Sequence, residues 1–239
     1  MIAATPSLIA WNGTIPRSRF FDALSLLLPS GEAFVIAALE QWRVAAAGSL
    51  DAETVAQIDR FVREERAHQR AHQRYNDALL AATPGAAPAA RRAAGAADEL
   101  AALGLPMKMA LAAAFEQLTA VLSREVVEQA YLLLPGDSTH SRMWRWHARE
   151  EMAHCHIALQ AARRCGVGRL RKAAALCLAT AFLSFDVLCC WWALCRCDIA
   201  AGASRRRVIA DALRFAAGAL PSLARMAAGW CRCVVNRGA

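Results

Sequence analysis

The stretch EERAHQRAHQRYN, residues 64–76, places a glutamate and two histidines on a helix face that its surroundings mark as buried. Apolar or core-type side chains recur at positions 55, 58, 62, 65, 68, 72, 75 and 79, the spacing of one face of an α-helix. Glu65, His68 and His72 lie in the middle of that face. An ionised carboxylate in an apolar core is costly unless it is paired, hydrogen-bonded or bound to a metal. This face therefore predicts a buried polar site.

A second segment, WRWHAREEMAHCHIAL at residues 144–159, repeats the pattern with His147, Glu151 and His154 on its inward stripe. Two further glutamates, Glu32 and Glu116, precede the two Glu-x-x-His pairs by 33 and 35 residues. About 0.3 such pairs are expected by chance from 11 glutamates and 6 histidines in 239 residues, and two occur. The order predicts two helical hairpins that form a four-helix bundle with these side chains near its axis.

The inward side chains predict a site for two metal ions. Several inward carboxylates would repel one another, whereas two divalent cations cancel that charge and imidazoles complete the coordination. We expect two iron ions, with manganese or zinc as alternatives. The predicted metal ligands are Glu32, Glu65, His68, His72, Glu116, His147, Glu151 and His154.

Some polar residues of these segments have competing interpretations. Glu32 could instead simply favour a helix N-terminus, and His72 and His147 could be hydrogen-bonding residues rather than ligands. Asn76 could orient a ligand or simply pack. The residues expected outside the site are Glu64 and Glu150, facing solvent or paired with arginine, and the bystanders His140 and His156.

The chain reads as all-α, because 57% of its residues are hydrophobic and no segment alternates as a half-buried strand would. We predict a ferritin-like four-helix bundle over 1–166, with a linker at about 81–97. Additional apolar helices over 167–239 pack on the bundle or at a membrane. The predicted helices begin at Pro29–Gly31, Ser49 or Asp51, Pro106, Ser138 or Thr139, after Gly168, and at Ser204 and Pro221.

From Ala173 to Cys195 the chain carries a single charge, Asp186. At ~1.5 Å per residue this helix is long enough to cross a bilayer. The acid near its centre argues against a span and favours burial or peripheral membrane contact. The same apolar helices could also form the wall of a tunnel that leads an apolar substrate to the metals.

Charge and cysteine content restrict the partners. The net charge is +8, and the excess of basic residues lies late in the chain. No basic stripe is interleaved with aromatic residues, so we expect no nucleic-acid partner. Attraction to an anionic membrane surface fits that charge better.

The nine cysteines, all at or after Cys155, are odd in number and no secretory signal precedes them. We expect structural thiols rather than C-x-C metal sites. The expected location is cytoplasmic, with association at the inner face of the cell membrane, and a homodimer is compatible with the sequence.

Four blocks resemble a known family: LLLPSGEAFVIAALEQW, EERAHQRAHQRYN, AFEQLTAVL and WRWHAREEMAHCHIAL. They look like the signature blocks of the bacterial family named "predicted metal-dependent hydrolases", and the match includes His72, Asn76 and His147. That family is similar to ferritin-like di-iron carboxylate proteins in its ligand pattern. The resemblance implies that Glu65 and Glu151 bridge the metals. It also implies that Glu32 and Glu116 are terminal metal ligands.

Three functions are compatible with this pattern. The one we predict is an O₂-dependent di-iron oxidase or oxygenase acting on a small apolar substrate, because helical Glu/Glu-x-x-His bundles of this type house redox metals. The first alternative is a metal-dependent hydrolase that uses a water bridging the metals. The second alternative is a non-catalytic iron-binding protein.

Overall fold

A computed structural model describes residues 10–235, and in this range it contains α-helices and no strand. The helices are α1 (Ile15–Ala45), α2 (Ala52–Ala82), α3 (Ala87–Ala101), α4 (Leu105–Glu128), α5 (Thr139–Arg164), α6 (Arg169–Ala200) and α7 (Arg205–Val235). Short 3₁₀ turns at Ala47–Ser49 and Pro84–Ala86 flank α2. The all-α prediction is confirmed.

Two helical hairpins, α1–α2 and α4–α5, form the bundle, because α1 also packs on α4 and α2 packs on α5. The apolar core falls into two clusters. One includes Phe34, Ile58 and Leu111, and the other includes Phe21 and Trp144. On α1 and α2 the predicted metal-site residues lie between the segments that build these clusters, and on α5 Glu151 and His154 do so. The polar site is thus enclosed by apolar packing at both ends.

Helix α1 begins at Ile15, so the prediction of a first helix starting at Pro29 is wrong. Pro29 lies inside the helix and has no N–H to donate to the carbonyl of Ser25, one turn earlier. The side-chain amide of Asn76 donates to that carbonyl instead, at 2.7 Å. Because α2 supplies the missing donor, the helix continues through the proline.

Side-chain caps confirm the predicted starts of the second and fourth bundle helices. The carboxylate of Asp51 accepts from the backbone N–H of Thr54 at 2.6 Å, where α2 begins. The hydroxyl of Ser138 accepts from the N–H of Ser141 at 3.1 Å, where α5 begins. Each cap satisfies a backbone donor that the first helical turn leaves without a partner.

Two segments differ from the predicted boundaries. The expected linker at 81–97 becomes helical from Ala87, and Ala90 and Ala93 are buried. Alanine strongly favours helix, and Pro88 occupies the first turn, where a backbone N–H has no helical partner. The two short helices predicted from Ser204 and Pro221 are one helix, α7, with Pro221 inside it. Packing of α7 on α1, α4 and α6 overrides the local helix-breaking preference.

The C-terminal helices pack on the bundle. α6 contacts α1 and α4, and α7 contacts α1, α4 and α6. Asp198 near the end of α6 forms a buried ion pair with Arg19 of α1 at 2.7 Å. Asp186 is paired with Arg92 of α3 at 2.7 Å. The division into domains near residue 166 stays a prediction, and the outer limits of both domains fall outside the described residues.

Three of the described helices, α1, α4 and α6, are long and apolar enough to cross a membrane by length and composition alone. In α1 the apolar window is 61% buried inside the protein, whereas in α6 it is 33% buried. Helix α6 therefore presents more of its apolar surface outward than the two bundle helices do.

Candidate metal centre

Seven of the eight predicted ligands come together in two buried groups. Within each group, one ligand atom of every residue lies within 4.8 Å of the others. The first group draws on α2 and α5, and the second on α1, α2 and α5. The first group is Glu65, His68, Glu151 and His154, and the second is Glu32, His72 and His147.

The first group is held by hydrogen bonds that cross between α2 and α5. The Nε2 atom of His68 lies 2.8 Å from Glu150 Oε2, and the Nε2 atom of His154 lies 3.0 Å from Glu64 Oε2. Each histidine therefore donates its Nε2–H to a carboxylate on the opposite helix. This arrangement directs both Nδ1 atoms inward, and His154 Nδ1 is 2.6 Å from Glu65 Oε1. A carboxylate that orients a histidine in this way is typical of metal sites.

Sequence reasoning missed this role of Glu64 and Glu150. Glu64 also accepts from Arg60 at 2.8 Å, as the expected arginine pairing requires, and Glu150 accepts from Trp146 at 2.8 Å. A signal was present, because each Glu-x-x-His pair is preceded directly by a second glutamate, in EERAH and EEMAH. The doubled glutamate supplies one inward carboxylate and one that reaches across to the neighbouring helix.

His72 is oriented by a network with Ser25 and Asn76. The hydroxyl of Ser25 donates to Asn76 Oδ1 at 2.7 Å, and its oxygen lies 2.8 Å from His72 Nδ1. Because serine has a single hydroxyl proton, the Ser25 oxygen accepts from His72 Nδ1–H. His72 Nε2 then carries the lone pair. Of the two roles considered for Asn76, orientation of a ligand-type histidine is the one that its contacts support.

Two other predicted ligands, His147 and Glu116, differ in their positions relative to the two groups. His147 connects the two groups, since its Nε2 atom is 3.7 Å from Glu151 Oε1 and its ring is 4.8 Å from that of His72. Glu116 is buried on α4 and lines a cavity together with Glu32, yet it is in neither group of described residues. Its predicted role as a ligand stays a prediction.

Burial and neighbouring charges separate the histidines into two kinds. Burial opposes protonation of His68 and His154, but hydrogen bonds to Glu151 and Glu65 raise the pKa of His68 to about 10 and that of His154 to about 11. Burial, together with His147, lowers the pKa of His72 well below its ordinary value. Burial lowers the pKa of His147 to about 4. At neutral pH, His72 and His147 are therefore neutral imidazoles.

The carboxylates are also shifted by their surroundings. Burial, reinforced by the nearby Glu65, raises the pKa of Glu32 well above its ordinary value. Burial alone would raise the pKa of Glu151, but His147, His154 and His68 hold it well below the ordinary value. Groups whose pKa values are pushed apart in one small volume are characteristic of functional sites.

The donor set fits metal ions. Several buried side-chain atoms at the centre have no hydrogen-bond partner among the described residues, although such atoms are normally satisfied. They carry lone pairs, or can lose a proton to expose one, and imidazole and carboxylate are common ligands of divalent transition metals. These atoms are both oxygens of Glu32, His72 Nε2, His147 Nδ1 and Glu151 Oε2.

The two halves of the centre are not equivalent. When the sequences of α2 and α5 are aligned on Glu65 and Glu151, the position equivalent to His72 is Ala158 and the position equivalent to His147 is Phe61. The additional histidines therefore lie at one end of the centre only, against Trp144, while Phe61 packs on His154 at the other end. A symmetric ferritin-like ligand set has no such imbalance, and that part of the prediction remains untested.

Other candidate residues lie away from the centre. His140 stacks on Trp11 with ring centroids 5.3 Å apart, and His156 is exposed. Each cysteine with a described side chain is a free thiol, and none is in the two ligand groups. Burial raises the pKa of both Cys190 and Cys195 to about 12, which suits packing rather than metal binding.

The fold and centre define an all-α protein with buried histidine and glutamate groups able to hold metal. The chain belongs to the family described as "Predicted metal-dependent hydrolase", whose model matches residues 4–237. A search of the curated proteins and a search of the solved structures each found no match. The family and the buried groups together indicate a metal-dependent enzyme with a metal cofactor.

The family membership corrects the predicted reaction. The prediction of an O₂-dependent oxidase or oxygenase is wrong, because the family that covers nearly the whole chain is described as hydrolytic. The alternative that we considered, a metal-dependent hydrolase, is the interpretation that the family supports. The same buried ligands suit either chemistry, so ligand type alone did not separate the two.

Proposed function

We propose that this protein is a hydrolase that uses two divalent transition-metal ions to cleave a carbonyl or phosphoryl substrate. One ion would be held by the four residues of the first group and the other by Glu32, His72 and His147. The two adjacent groups of buried ligand-type side chains carry this proposal. When bound, such ions polarise the scissile group and lower the pKa of a water molecule.

The surrounding residues orient the ligands and keep bulk water away. Glu150 and Glu64 orient His68 and His154 so that Nδ1 faces the centre, and Ser25 orients His72 so that Nε2 does. The apolar clusters at both ends exclude solvent, and exclusion of water strengthens each electrostatic interaction inside.

Glu116 is well placed to move a proton. It lines the cavity beside Glu32, Glu65 and Glu151. We propose that its carboxylate accepts a proton from the attacking water and returns it to the leaving group. General acid–base catalysis of this kind contributes ~10²–10⁴-fold to a rate.

Metal reconstitution tests the hydrolase proposal. Protein stripped with a chelator and reloaded with zinc, manganese or iron should bind about two ions per chain by elemental analysis. At least one loaded form should hydrolyse carboxylic-ester, amide or phosphoester probes ~100-fold faster than the stripped protein, because metal stabilises the developing charge. Loaded protein that cleaves none of the three probe classes would refute the proposal.

Glu116→Gln separates proton transfer from metal binding in the same assay. The variant should retain its metal and lose ~100-fold or more in kcat, because the amide cannot accept the proton. Glu99→Gln on α3 is outside both ligand groups and serves as the matched control. Loss of metal from Glu116→Gln would instead make Glu116 a ligand.

A further inference from the structure

A cleft joins the metal centre to the protein surface. It lies among α1, α3, α4 and α6 and has a volume of about 90 Å³. At its inner end are the carboxylates of Glu32, Glu65, Glu116 and Glu151. Apolar side chains and a glycine dominate the rest of its wall, including Gly31, Val35, Ala93, Phe115, Phe182 and Leu183.

The outer end of the cleft opens at α6. Phe182 lines the cleft and is 40% exposed, whereas Glu65 at the inner end is 1% exposed. Beside this opening, Arg92 of α3 pairs with Asp186 in the cleft wall and stacks on Phe185 at 4.9 Å. The ion pair fixes α3 on α6 and leaves the passage between them lined mainly by carbon.

We propose that the cleft binds the unbranched apolar chain of an acyl ester and places its carbonyl at the metal centre. This inference rests on the proposed hydrolase function and names its substrate class. A narrow apolar wall matches a hydrocarbon chain, and the charged inner end matches the polar carbonyl. A strongly polar or anionic group along the chain would find few partners in the cleft.

The reaction balances without a redox partner. The oxygen of a water molecule bonds to the acyl carbon, and the bond from that carbon to the alkoxy oxygen breaks. The proton that the water loses passes through Glu116 to the departing alcohol. The products are a carboxylic acid and an alcohol, and no electrons are exchanged.

A series of soluble esters from acetate to decanoate tests the substrate class. We expect kcat/KM to rise about threefold to fourfold per added methylene, the factor that corresponds to about 0.8 kcal/mol per buried CH₂, until the cleft is filled. Displacement of a fluorescent fatty acid from the metal-loaded protein measures chain binding without turnover.

Gly31→Leu should block the cleft. Gly31 lines the cleft, and nothing lies within 4 Å of a Cβ atom built there, so a leucine can be accommodated without displacing neighbours. We expect the decanoate-to-acetate ratio of kcat/KM to fall at least ~10-fold, with weaker fatty-acid binding. Gly95→Leu is the matched control, because Gly95 is an exposed helical glycine with equally open space. Leucine favours helix over glycine at both positions, and metal analysis verifies folding.

The outcomes distinguish the inference from the function on which it rests. Fatty-acid binding that Gly31→Leu abolishes, without turnover of any carboxylic-ester, amide or phosphoester probe, would support the cleft and refute the hydrolase. Ester turnover that is independent of chain length, and unchanged by Gly31→Leu, would overturn the chain-binding cleft and leave the hydrolase standing.

A second observation concerns the outer surface of the C-terminal helices. Ten of the 13 exposed large hydrophobic side chains in the described residues lie on α6 and α7. On α6, Leu178, Phe185, Leu188 and Trp192 follow the spacing of a single helix face. A single face of α7 likewise carries Ile209, Leu213, Leu220 and Leu223.

Charge accompanies these apolar faces. Helices α6 and α7 carry ten basic and three acidic residues. Two of the three acids, Asp186 and Asp198, are buried and paired with arginines of α3 and α1. The two C-terminal helices therefore combine exposed apolar side chains with an excess of exposed positive charge.

We infer that this surface docks peripherally on a bilayer containing anionic lipids. Apolar area supplies insertion at the interface, and arginine and lysine supply attraction to the headgroups. The buried ion pair of Asp198 with Arg19 and the pairing of Asp186 with Arg92 anchor α6 to the rest of the protein, which favours docking over spanning.

Vesicle sedimentation tests the docking surface. Purified protein should bind phosphatidylglycerol-containing vesicles more tightly than neutral phosphatidylcholine vesicles, and high salt should weaken the binding. Leu188→Glu should reduce binding at least ~10-fold, because it removes apolar area and adds a repelled charge. Val44→Glu is the matched control on an exposed valine at the end of α1.

Two results would overturn peripheral docking. Equal binding by both glutamate variants would exclude the α6 face. A dimer in solution that Leu188→Glu converts to a monomer, with no vesicle binding by the unaltered protein, would show that a second copy of the chain covers this face.

Discussion

Glu65→Gln should empty the metal centre while leaving the fold in place. Glutamine preserves the side-chain volume but removes the charge and one coordinating oxygen from the first ligand group. We expect metal affinity to fall at least ~100-fold, beyond the ~10–100-fold typical of residues that only orient a ligand, and hydrolysis to fall with it. Elemental analysis and competition with a chelator measure the change.

Two glutamates on the same helix provide graded controls. Glu64 accepts from His154 Nε2, so Glu64→Gln should weaken metal binding by ~10–100-fold. Glu53 is exposed in the first turn of α2, and Glu53→Gln should change nothing. Equal metal affinity in all three variants would contradict the assignment of Glu65 as a ligand.

Asp198→Ala should lower the free energy of unfolding by about 3 kcal/mol or more. Asp198 forms two hydrogen bonds with the buried guanidinium of Arg19, both at 2.7 Å. Removing it leaves a buried charge with Asp22 as its remaining acidic partner, and breaking a buried ion pair costs about 3–5 kcal/mol. Denaturant unfolding of the metal-free protein measures the loss without a contribution from the metal centre.

Asp211→Ala is the matched control for this ion pair. Asp211 pairs with Arg214 on α7 at the same 2.7 Å distance, but the arginine side chain is 76% exposed. An exposed pair contributes about 1 kcal/mol or less, so this variant should be nearly neutral. If Asp198→Ala costs no more than Asp211→Ala, the buried pair does not hold α6 on the bundle.

Local patterns predicted the fold class and most of the candidate centre. A 3.6-residue period is a property of one helix, so the inward positions of Glu65, His68 and His72 could be recognised without any partner. Side-chain caps at Asp51 and Ser138 are equally local, since they involve residues only three positions apart. The structure brings these histidines and glutamates together as the repeated order indicated.

Other features depend on residues that are distant in sequence. Pro29 predicted a helix start, yet α1 runs through it because Asn76 satisfies the carbonyl of Ser25 from 51 positions away. The alanine-rich segment before α4 was predicted to be a linker because of its proline and glycine content, yet it becomes part of the core through contact with α1 and α6.

The sequence by itself determined that the protein is helical and that one face of each of two helices carries glutamate and histidine in a repeated order. The tertiary structure decided which nitrogen each histidine presents. His68 needs Glu150 from α5, and His72 needs Ser25 from α1, before either imidazole turns one defined nitrogen toward the centre. The nitrogen that faces the centre depends on the hydrogen-bond partner of the opposite ring nitrogen, and these partners come together only when separate helices pack.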